Sequence, residues 1–191
     1  MKYAILFLTN FIIGSVPFPY LIGKIFFKTD IRTFGDDNNP GSVNAFKAKG
    51  LILGIPSLFL DYLKGAIPLY FFISKFNLNP FIFCILSNAP ILGHMFTPFL
   101  KFRGGKGITT TFGVWSALTL WKVPTFLGSI FLFFVILKPF FKDKISDRLI
   151  VVTASVLLVV FVFFQFRDPR LTYVSILNSI ILIFGQYKEE F

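Results

Sequence analysis

Cysteine, histidine and acidic residues are all scarce in this chain of 191 residues. The one cysteine, Cys84, excludes an intrachain disulfide, and its place in an apolar run predicts a packed thiol. The one histidine, His94, follows Cys84 by nearly three helical turns, so the usual cluster of His and Cys metal ligands is missing. We therefore expect no metal site.

Acidic residues number nine against 19 basic ones, which gives a formal net charge of +10. Such an excess can indicate a protein that binds nucleic acid. Here, however, the basic residues lie in short turns between apolar runs, where they set membrane topology and contact anionic headgroups. We expect the bilayer as a partner and no nucleic acid.

Long polar segments are also missing: 55% of the residues are hydrophobic and 29 are Phe. Several apolar runs approach twenty residues, the length that spans the hydrocarbon core of a bilayer. No small-residue cleavage site follows the first run, so we expect no cleaved signal peptide. Without a repeat or a soluble segment, the sequence predicts an all-α polytopic integral membrane protein with one domain, residues 1–191.

Turn signals divide the apolar runs into about seven transmembrane helices, or six if two weak spans merge. We place the seven at residues 4–27, 51–74, 79–99, 107–121, 124–141, 149–165 and 171–186. With the N-terminus outside, thirteen of the 19 basic residues fall in cytoplasmic segments and five in outer ones, while Lys64 lies within a span. The positive-inside rule therefore favours an outer N-terminus and a cytoplasmic C-terminus.

Residues 93–113, which read GHMFTPFLKFRGGKGITTTFG, combine the features of a phosphate site. Lys106 and its basic neighbours supply charge, and the glycines let backbone N–H groups approach an anion. A Walker loop is excluded, because Leu100 and Gly107 stand where it needs glycine and a hydroxyl residue. An ordinary cytoplasmic turn between membrane helices has the same composition, and spacing alone leaves both interpretations open.

The longest polar segment, residues 28–50, lies on the same predicted face. Asp36 to Gly41 form a turn, and Ser42 or Asn44 are candidates to cap the next helix. This segment fits either a solvated loop or a second wall of the phosphate site.

Asp61 and Lys64 are charged residues within the second span, three positions apart on one helix face. An ionisable residue inside a membrane is costly and indicates a functional site by default. A self-paired structural couple fits these two residues equally well.

Several local motifs resemble those of one family over nearly the whole chain. The most specific match is Gly93-His94 with Phe102–Gly107, and the supporting matches are Gly14–Pro17 with Tyr20, Asn39–Gly41 with Asn44, and Asp61 with Lys64 and Gly65. In these motifs the chain resembles the acyl-phosphate-dependent glycerol-3-phosphate acyltransferases of bacterial inner membranes, the PlsY type.

The resemblance implies seven membrane helices with an active site at the cytoplasmic face of the cell inner membrane. It implies transfer of a fatty acyl group from acyl phosphate to the 1-hydroxyl of glycerol 3-phosphate. The product is 1-acylglycerol 3-phosphate, or lysophosphatidic acid, in phospholipid biosynthesis. No acyl-carrier protein, coenzyme A thioester, metal or cofactor is implied, and an enzyme that produces acyl phosphate is an implied partner.

By the same resemblance, His94 and Lys106 are candidate catalytic residues; Asp37 is a third candidate on its own chemistry, because its carboxylate could accept the proton of the glycerol hydroxyl. Lys106 and the backbone around it would hold phosphate, while His94 orients a phosphate or a hydroxyl. The candidate substrate- and phosphate-binding residues are Asn39, Asn44, Lys47, Arg103, Gly104, Gly105, Lys106, Gly107 and Ser146.

Three polar sites depart from the family pattern. Asp37 stands where the family has a serine, and Lys47 replaces an arginine and loses its bidentate fork. The closing His-Arg-x-Asn-Ile survives only as Tyr187–Phe191. These changes keep open a non-catalytic membrane protein that binds lipid precursors or an enzyme partner. A small transporter is a third alternative, suggested by the intramembrane charges, although no inverted repeat is visible.

Overall fold

The structure is a computed structural model that describes residues 1–35, 37–72, 78–141 and 145–187. Predictions that involve Asp36, Lys75, Lys142, Lys144, residues 188–191 or the end of the second span lie outside these ranges. Within them the regular structure is helical and contains no strand. The α-helices are α1 (Lys2–Ser15), α2 (Phe18–Phe27), α3 (Ser42–Phe72), α4 (Pro80–Met95), α5 (Ile108–Thr119), α6 (Lys122–Leu137), α7 (Asp147–Phe166) and α8 (Pro169–Tyr187).

Each of the seven predicted spans coincides with a helix, the first with α1 and α2 together. Among the described residues, four helices are long and apolar enough to cross a membrane, and the bent pair α1–α2 would make five. The 12 residues of α5 are fewer than a straight crossing needs. The all-helical fold is confirmed, while seven crossings and their orientation stay predictions.

The first span is broken between α1 and α2, which meet at a bend of 40°. Val16 is extended (φ −61°, ψ 117°), as a residue before proline prefers, and Pro17 precedes α2. Gly14 packs so closely that a Cβ there would collide with the backbone of Pro90. The first span is therefore kinked at Pro17 and packs closely on α4.

The polar loop predicted to run to Gly50 ends earlier, because α3 already begins at Ser42. Its first turns pack Ala45 into a small buried cluster with Ile31 and Leu53, which draws this segment into a helix. The run is then interrupted at Lys49 and Gly50, and Gly50 takes φ +59°, ψ −145°, a conformation open mainly to glycine. The prediction of a loop over residues 42–50 was therefore wrong.

Glycines let helices cross closely near the site. A Cβ on Gly65 of α3 would collide with the carbonyl oxygen of Thr110 in α5, and one on Gly113 with that of Tyr62. Gly93 of α4 lies equally close to Phe11 of α1. Small residues of this kind permit tight helix packing in membranes, and here they bring the start of α5 up to α3 and the end of α4 up to α1.

Buried polar side chains fix the position of α8. Asn178 accepts a hydrogen bond from Trp115 Nε1 at 3.1 Å and donates to Thr111 Oγ1 at 3.3 Å, while Ser179 Oγ donates to the carbonyl of Ser155 at 2.8 Å. Cys84 is buried and its thiol lies against the carbonyl of Tyr173, which confirms the predicted packed thiol.

Candidate active site

A cavity of about 420 Å³ opens where α4 ends and α5 begins. Part of its wall is polar, and comes from the segment before α3, the start of α3, the α4–α5 turn and the end of α8. The rest is apolar, and includes Phe131 and Val135 of α6 with Ile150 and Val151 of α7. The cavity can therefore hold a molecule with a charged head and an apolar chain.

An ion pair between Asp37 and Lys106 joins the two polar segments that the sequence placed on one face. Lys106 Nζ lies 2.7 Å from Asp37 Oδ2, and about a quarter to a third of each side chain is exposed. Burial alone would raise the pKa of Asp37, but the hydrogen bond and charge of Lys106, with the Asn39 amide and Asn44, hold that pKa below its ordinary value. Asp37 is therefore ionised at neutral pH.

The two asparagines shape the loop that carries Asp37. Asn39 Oδ1 accepts a hydrogen bond from the backbone amide of Gly41 at 3.0 Å, and the backbone amide of Asn39 donates to Asp37 Oδ1 at 3.2 Å. Asn44 Nδ2 donates to the Asn39 carbonyl at 2.8 Å and lies 3.4 Å from Asp37 Oδ1. Asn44 thus closes the loop from within α3, and both asparagines line the cavity.

His94 lies in the last turn of α4, and its side chain borders the cavity. Its Nδ1 is 3.9 Å from Asp61 Oδ1. On the other side of the ring, Gly105 lies so close that a Cβ there would collide with Nε2. The histidine is therefore held between α3 and the glycine turn.

The glycine turn folds back onto α4. The amide of Gly104 donates to the carbonyl of Met95 at 3.0 Å, and the amide of Gly105 to that of His94 at 3.2 Å. These two amides are consequently not free to bind phosphate, and the cradle of successive amides predicted from the sequence is wrong at both positions. Close approach to His94 explains the glycines instead.

Asp61 and Lys64 form a second ion pair, 2.7 Å apart, in which each side chain is only 1% exposed. Lys64 also donates to the Val16 carbonyl at 2.8 Å, which is left without a helical partner at the α1–α2 break. Asp61 borders the cavity, whereas Lys64 does not. The structural couple is therefore present with one end at the cavity, while a functional role of Asp61 stays a prediction.

Residues 4–191 match the family model described as glycerol-3-phosphate acyltransferase. The chain belongs to this family. The glycerol-3-phosphate acyltransferase of Fusobacterium nucleatum is 37% identical over 175 residues, which are 92% of this chain and 86% of that protein. Glycerol-3-phosphate acyltransferase 1 of Thermotoga maritima is 45% identical over 120 residues, and that match spans 62% of this chain and 58% of the relative.

Two solved structures of PlsY, an integral membrane glycerol 3-phosphate acyltransferase, are similar to this chain along nearly its full length. The glycerol 3-phosphate form has a TM-score of 0.81 and 27% identity, and covers 100% of this chain and 90% of PlsY. The lysophosphatidic acid form has a TM-score of 0.78 and 26% identity, with 98% and 89% covered. The family resemblance and the membrane fold are confirmed.

In this family member the cavity gathers most, but not all, of the predicted site residues. Those that line it are Asp37, Asn39, Asn44, Lys47, His94, Lys106 and Gly107. Arg103 is exposed and does not line it, because the turn directs that side chain outward. Ser146 is also exposed and caps α7, since its hydroxyl accepts from the Leu149 amide at 3.2 Å.

Three further polar residues of the cavity wall were not predicted from the sequence. Thr109 lies in the first turn of α5, and its hydroxyl is 3.5 Å from that of Ser42. Asp147 lies beside the predicted Ser146, and Gln186 is a polar residue at the end of an apolar span. Of the three, only Gln186 could have been noticed in the sequence, because a polar residue at the end of an apolar span is unusual. Among the described residues, no group of three His, Cys, Asp or Glu side chains is arranged to hold a metal ion.

Proposed function

We propose that this single-domain membrane protein transfers a fatty acyl group from acyl phosphate to the 1-hydroxyl of glycerol 3-phosphate. The products are 1-acylglycerol 3-phosphate and inorganic phosphate. The observation that carries the proposal is a cavity with Lys106 and His94 on its polar wall and α6–α7 side chains on its apolar wall. The similarity to PlsY in forms named for glycerol 3-phosphate and lysophosphatidic acid supports it.

Both substrates carry a phosphate, and one carries an acyl chain, so each needs one part of this cavity. Lys106 is the cation placed to bind a phosphate, and binding would exchange its partner Asp37 for a phosphate oxygen. Phe131, Val135 and Ile150 offer apolar contact to the chain. Positioning and charge neutralisation then carry most of the catalysis, because acyl phosphate is already activated.

In the proposed reaction the hydroxyl oxygen of glycerol 3-phosphate attacks the acyl carbonyl carbon. The bond between that carbon and the phosphate oxygen breaks, and phosphate leaves with the electron pair. The hydroxyl proton passes to a base, for which the cavity offers Asp37 and His94. Asp37 is a weak candidate, since its hydrogen bonds and Lys106 lower its pKa and a general base works best with a pKa near the operating pH.

The test is transfer by the purified protein in detergent or vesicles, with acyl phosphate and radiolabelled glycerol 3-phosphate as substrates. We expect labelled 1-acylglycerol 3-phosphate with acyl phosphate, and none with acyl-coenzyme A or acyl-carrier protein as donor. Binding of glycerol 3-phosphate without turnover would instead support the non-catalytic membrane protein. Turnover with a thioester donor would overturn the assignment of the donor.

We further propose that the cavity faces the cytoplasm in the inner membrane, with the N-terminus outside. The uneven distribution of basic residues supports this orientation. Cysteines introduced at Lys122 and Arg148 should react with a membrane-impermeant reagent from opposite sides, and Cys84 is buried enough to give a low background. Reaction of both from outside would contradict the proposal.

A further inference from the structure

Gln186, in the last described turn of α8, carries a buried amide that borders the cavity. The residue is 5% exposed. Among the described residues, two buried side-chain nitrogens have no hydrogen-bond partner, Asn10 Nδ2 and Gln186 Nε2, and only Gln186 lines this cavity. A buried donor without an acceptor is costly, and native proteins rarely keep one without a use.

The position of Gln186 is well determined by its surroundings. A Cβ on the preceding Gly185 would lie 3.2 Å from the carbonyl oxygen of Lys106 and 2.9 Å from Met95 Cε, so α8 rests directly on the turn that carries Lys106. Further along α8, Asn178 and Ser179 are hydrogen-bonded to neighbouring helices. The backbone at Gln186 is therefore held beside the cavity by the packing of α8.

Tyr187, the next residue in the chain, points away from the cavity. Tyr187 is 37% exposed and lies under Arg148, with the guanidinium 5.1 Å from the ring centroid. Tyr187 does not line the cavity, so Gln186 is the residue by which this end of α8 takes part in the site.

From this geometry we infer that Gln186 is a substrate-binding residue whose side-chain amide donates a hydrogen bond to a phosphate oxygen. The inference rests on the proposed function for the identity of the phosphate compounds. A neutral donor suits this place, because the cavity wall already carries Asp37, Asp61 and Asp147, and phosphate oxygens are strong acceptors. Lys106 supplies the charge, and Gln186 adds a contact of fixed direction.

Gln186→Leu and Gln186→Glu test the inference, with Gln165→Leu and Gln165→Glu as matched controls. Gln165, the other glutamine, is exposed near the end of α7 and does not line the cavity. For Gln186→Leu we expect KM for one phosphate substrate to rise about 10- to 100-fold, as loss of a hydrogen bond to a charged group implies. Gln186→Glu should raise it further, since a carboxylate repels phosphate. The Gln165 variants should behave as wild type.

Two readouts keep the outcomes apart. Titration calorimetry with glycerol 3-phosphate and with inorganic phosphate measures binding without turnover, and the thermal midpoint in detergent reports on folding. If Gln186→Leu folds poorly, Gln186→Asn keeps the amide but shortens its reach, and it should also raise KM while the protein stays folded. A rise in KM for glycerol 3-phosphate alone assigns the contact to the acceptor's phosphate, and a rise for acyl phosphate alone assigns it to the donor's.

The inference is overturned if the Gln186 variants keep wild-type KM values and phosphate binding, or match the Gln165 variants. A fall in kcat with both KM values unchanged also overturns it, since that result would place the amide at the acyl carbonyl oxygen. If the wild-type protein binds phosphate but transfers no acyl group, the proposed function fails and the binding data still decide the role of Gln186. If it binds neither phosphate compound, both proposals fall.

Discussion

Two aspartate–lysine pairs in this protein have the same N–O separation of 2.7 Å but opposite surroundings. Asp61 and Lys64 are 1% exposed each and lie inside the helix bundle, where Lys64 also binds the carbonyl at the α1–α2 break. Asp37 and Lys106 are 31% and 26% exposed and lie at the cavity.

The pairs differ in how easily one partner can be replaced by water or by another ion. A charge that is only 1% exposed and loses its partner is poorly hydrated, so removal of one member of the inner pair should cost more than removal of both. The outer pair can open at small cost, because water can solvate either partner and a substrate phosphate can take the place of Asp37 beside Lys106. The same type of ion pair thus has two roles. Asp61 and Lys64 tie α3 to the α1–α2 break, whereas Asp37 and Lys106 leave a cation at the cavity that a phosphate can bind.

The largest effect should follow removal of one partner of the inner pair. Lys64→Met leaves Asp61 buried without its cation and removes one of the two donors to the Val16 carbonyl, the other being the Phe18 amide. We expect a loss of about 3–5 kcal/mol in the free energy of unfolding, enough to remove most folded protein. The yield of monodisperse protein and its thermal midpoint in detergent measure this loss.

The matched control is Lys106→Met, which makes the same change in the outer pair and should leave the protein folded. Asp61→Asn combined with Lys64→Met removes both charges, and it should recover part of the lost stability. Equal stability of Lys64→Met and Lys106→Met would break the distinction between the two pairs.

Removal of the outer cation should instead abolish function. Lys106→Ala is expected to lower kcat/KM for acyl transfer at least about 100-fold, because a charge-assisted hydrogen bond to phosphate is worth about 1.5–3 kcal/mol and Lys106 can make more than one. Lys101→Ala and Arg103→Ala are controls on the same turn, since both side chains are exposed and neither lines the cavity. Near-normal rates for Lys106→Ala would show that the substrate phosphate does not bind at Lys106.

His94 lies between the two pairs and offers a third test. In Gly105→Ala the new Cβ would displace the imidazole, and we expect a loss of about 1–3 kcal/mol in stability together with a fall in activity. Because His94 is the only histidine, selective [15N]histidine labelling gives one set of imidazole signals, which should shift.

Gly128→Ala is the control for that variant. A Cβ at Gly128 would lie 4.0 Å from Phe112, so the helix has room for it and the His94 signals should stay in place. Unchanged imidazole signals in Gly105→Ala would show that the glycine does not hold the ring.

The helices were predictable because apolar runs of bilayer length leave few alternatives, and Pro17 marked the first break. The Gly93–Gly113 stretch pointed to the site because its family motif joins basic residues and glycines to the chain's one histidine, whereas composition alone also fitted an ordinary cytoplasmic turn. The directions in which individual amides and side chains of this turn point were not predictable. That the Gly105 amide points to His94, and that Arg103 points away from the cavity, depend on how the turn packs on α4. Gln186 could not be assigned to the site from the sequence, because it reaches the cavity only through the packing of Gly185 against the Lys106 carbonyl. That packing joins segments far apart in the chain.

Asp37, where this chain departs from the serine pattern of the resemblance, should give the smallest effect. In Asp37→Ser the carboxylate that pairs with Lys106 and accepts hydrogen bonds from Asn39 and Asn44 is replaced by a hydroxyl. The hydroxyl can still accept one of these bonds, and Lys106 becomes more available to phosphate. We expect acyl transfer within about tenfold of wild type, some 1.4 kcal/mol in the barrier.

The pH dependence of stability sharpens this last prediction. Because the pKa of Asp37 is lower in the folded protein than in the unfolded chain, its contribution to stability is present above the unfolded pKa and is lost as pH falls through the folded one. Asp37→Ser should remove that acid-sensitive part and leave the thermal midpoint at neutral pH slightly lower. The inner pair should be unaffected, so Asp37→Ser should stay folded under conditions in which Lys64→Met does not. A thousandfold loss of activity in Asp37→Ser, with the protein folded, would refute the prediction and make Asp37 the base that takes the hydroxyl proton.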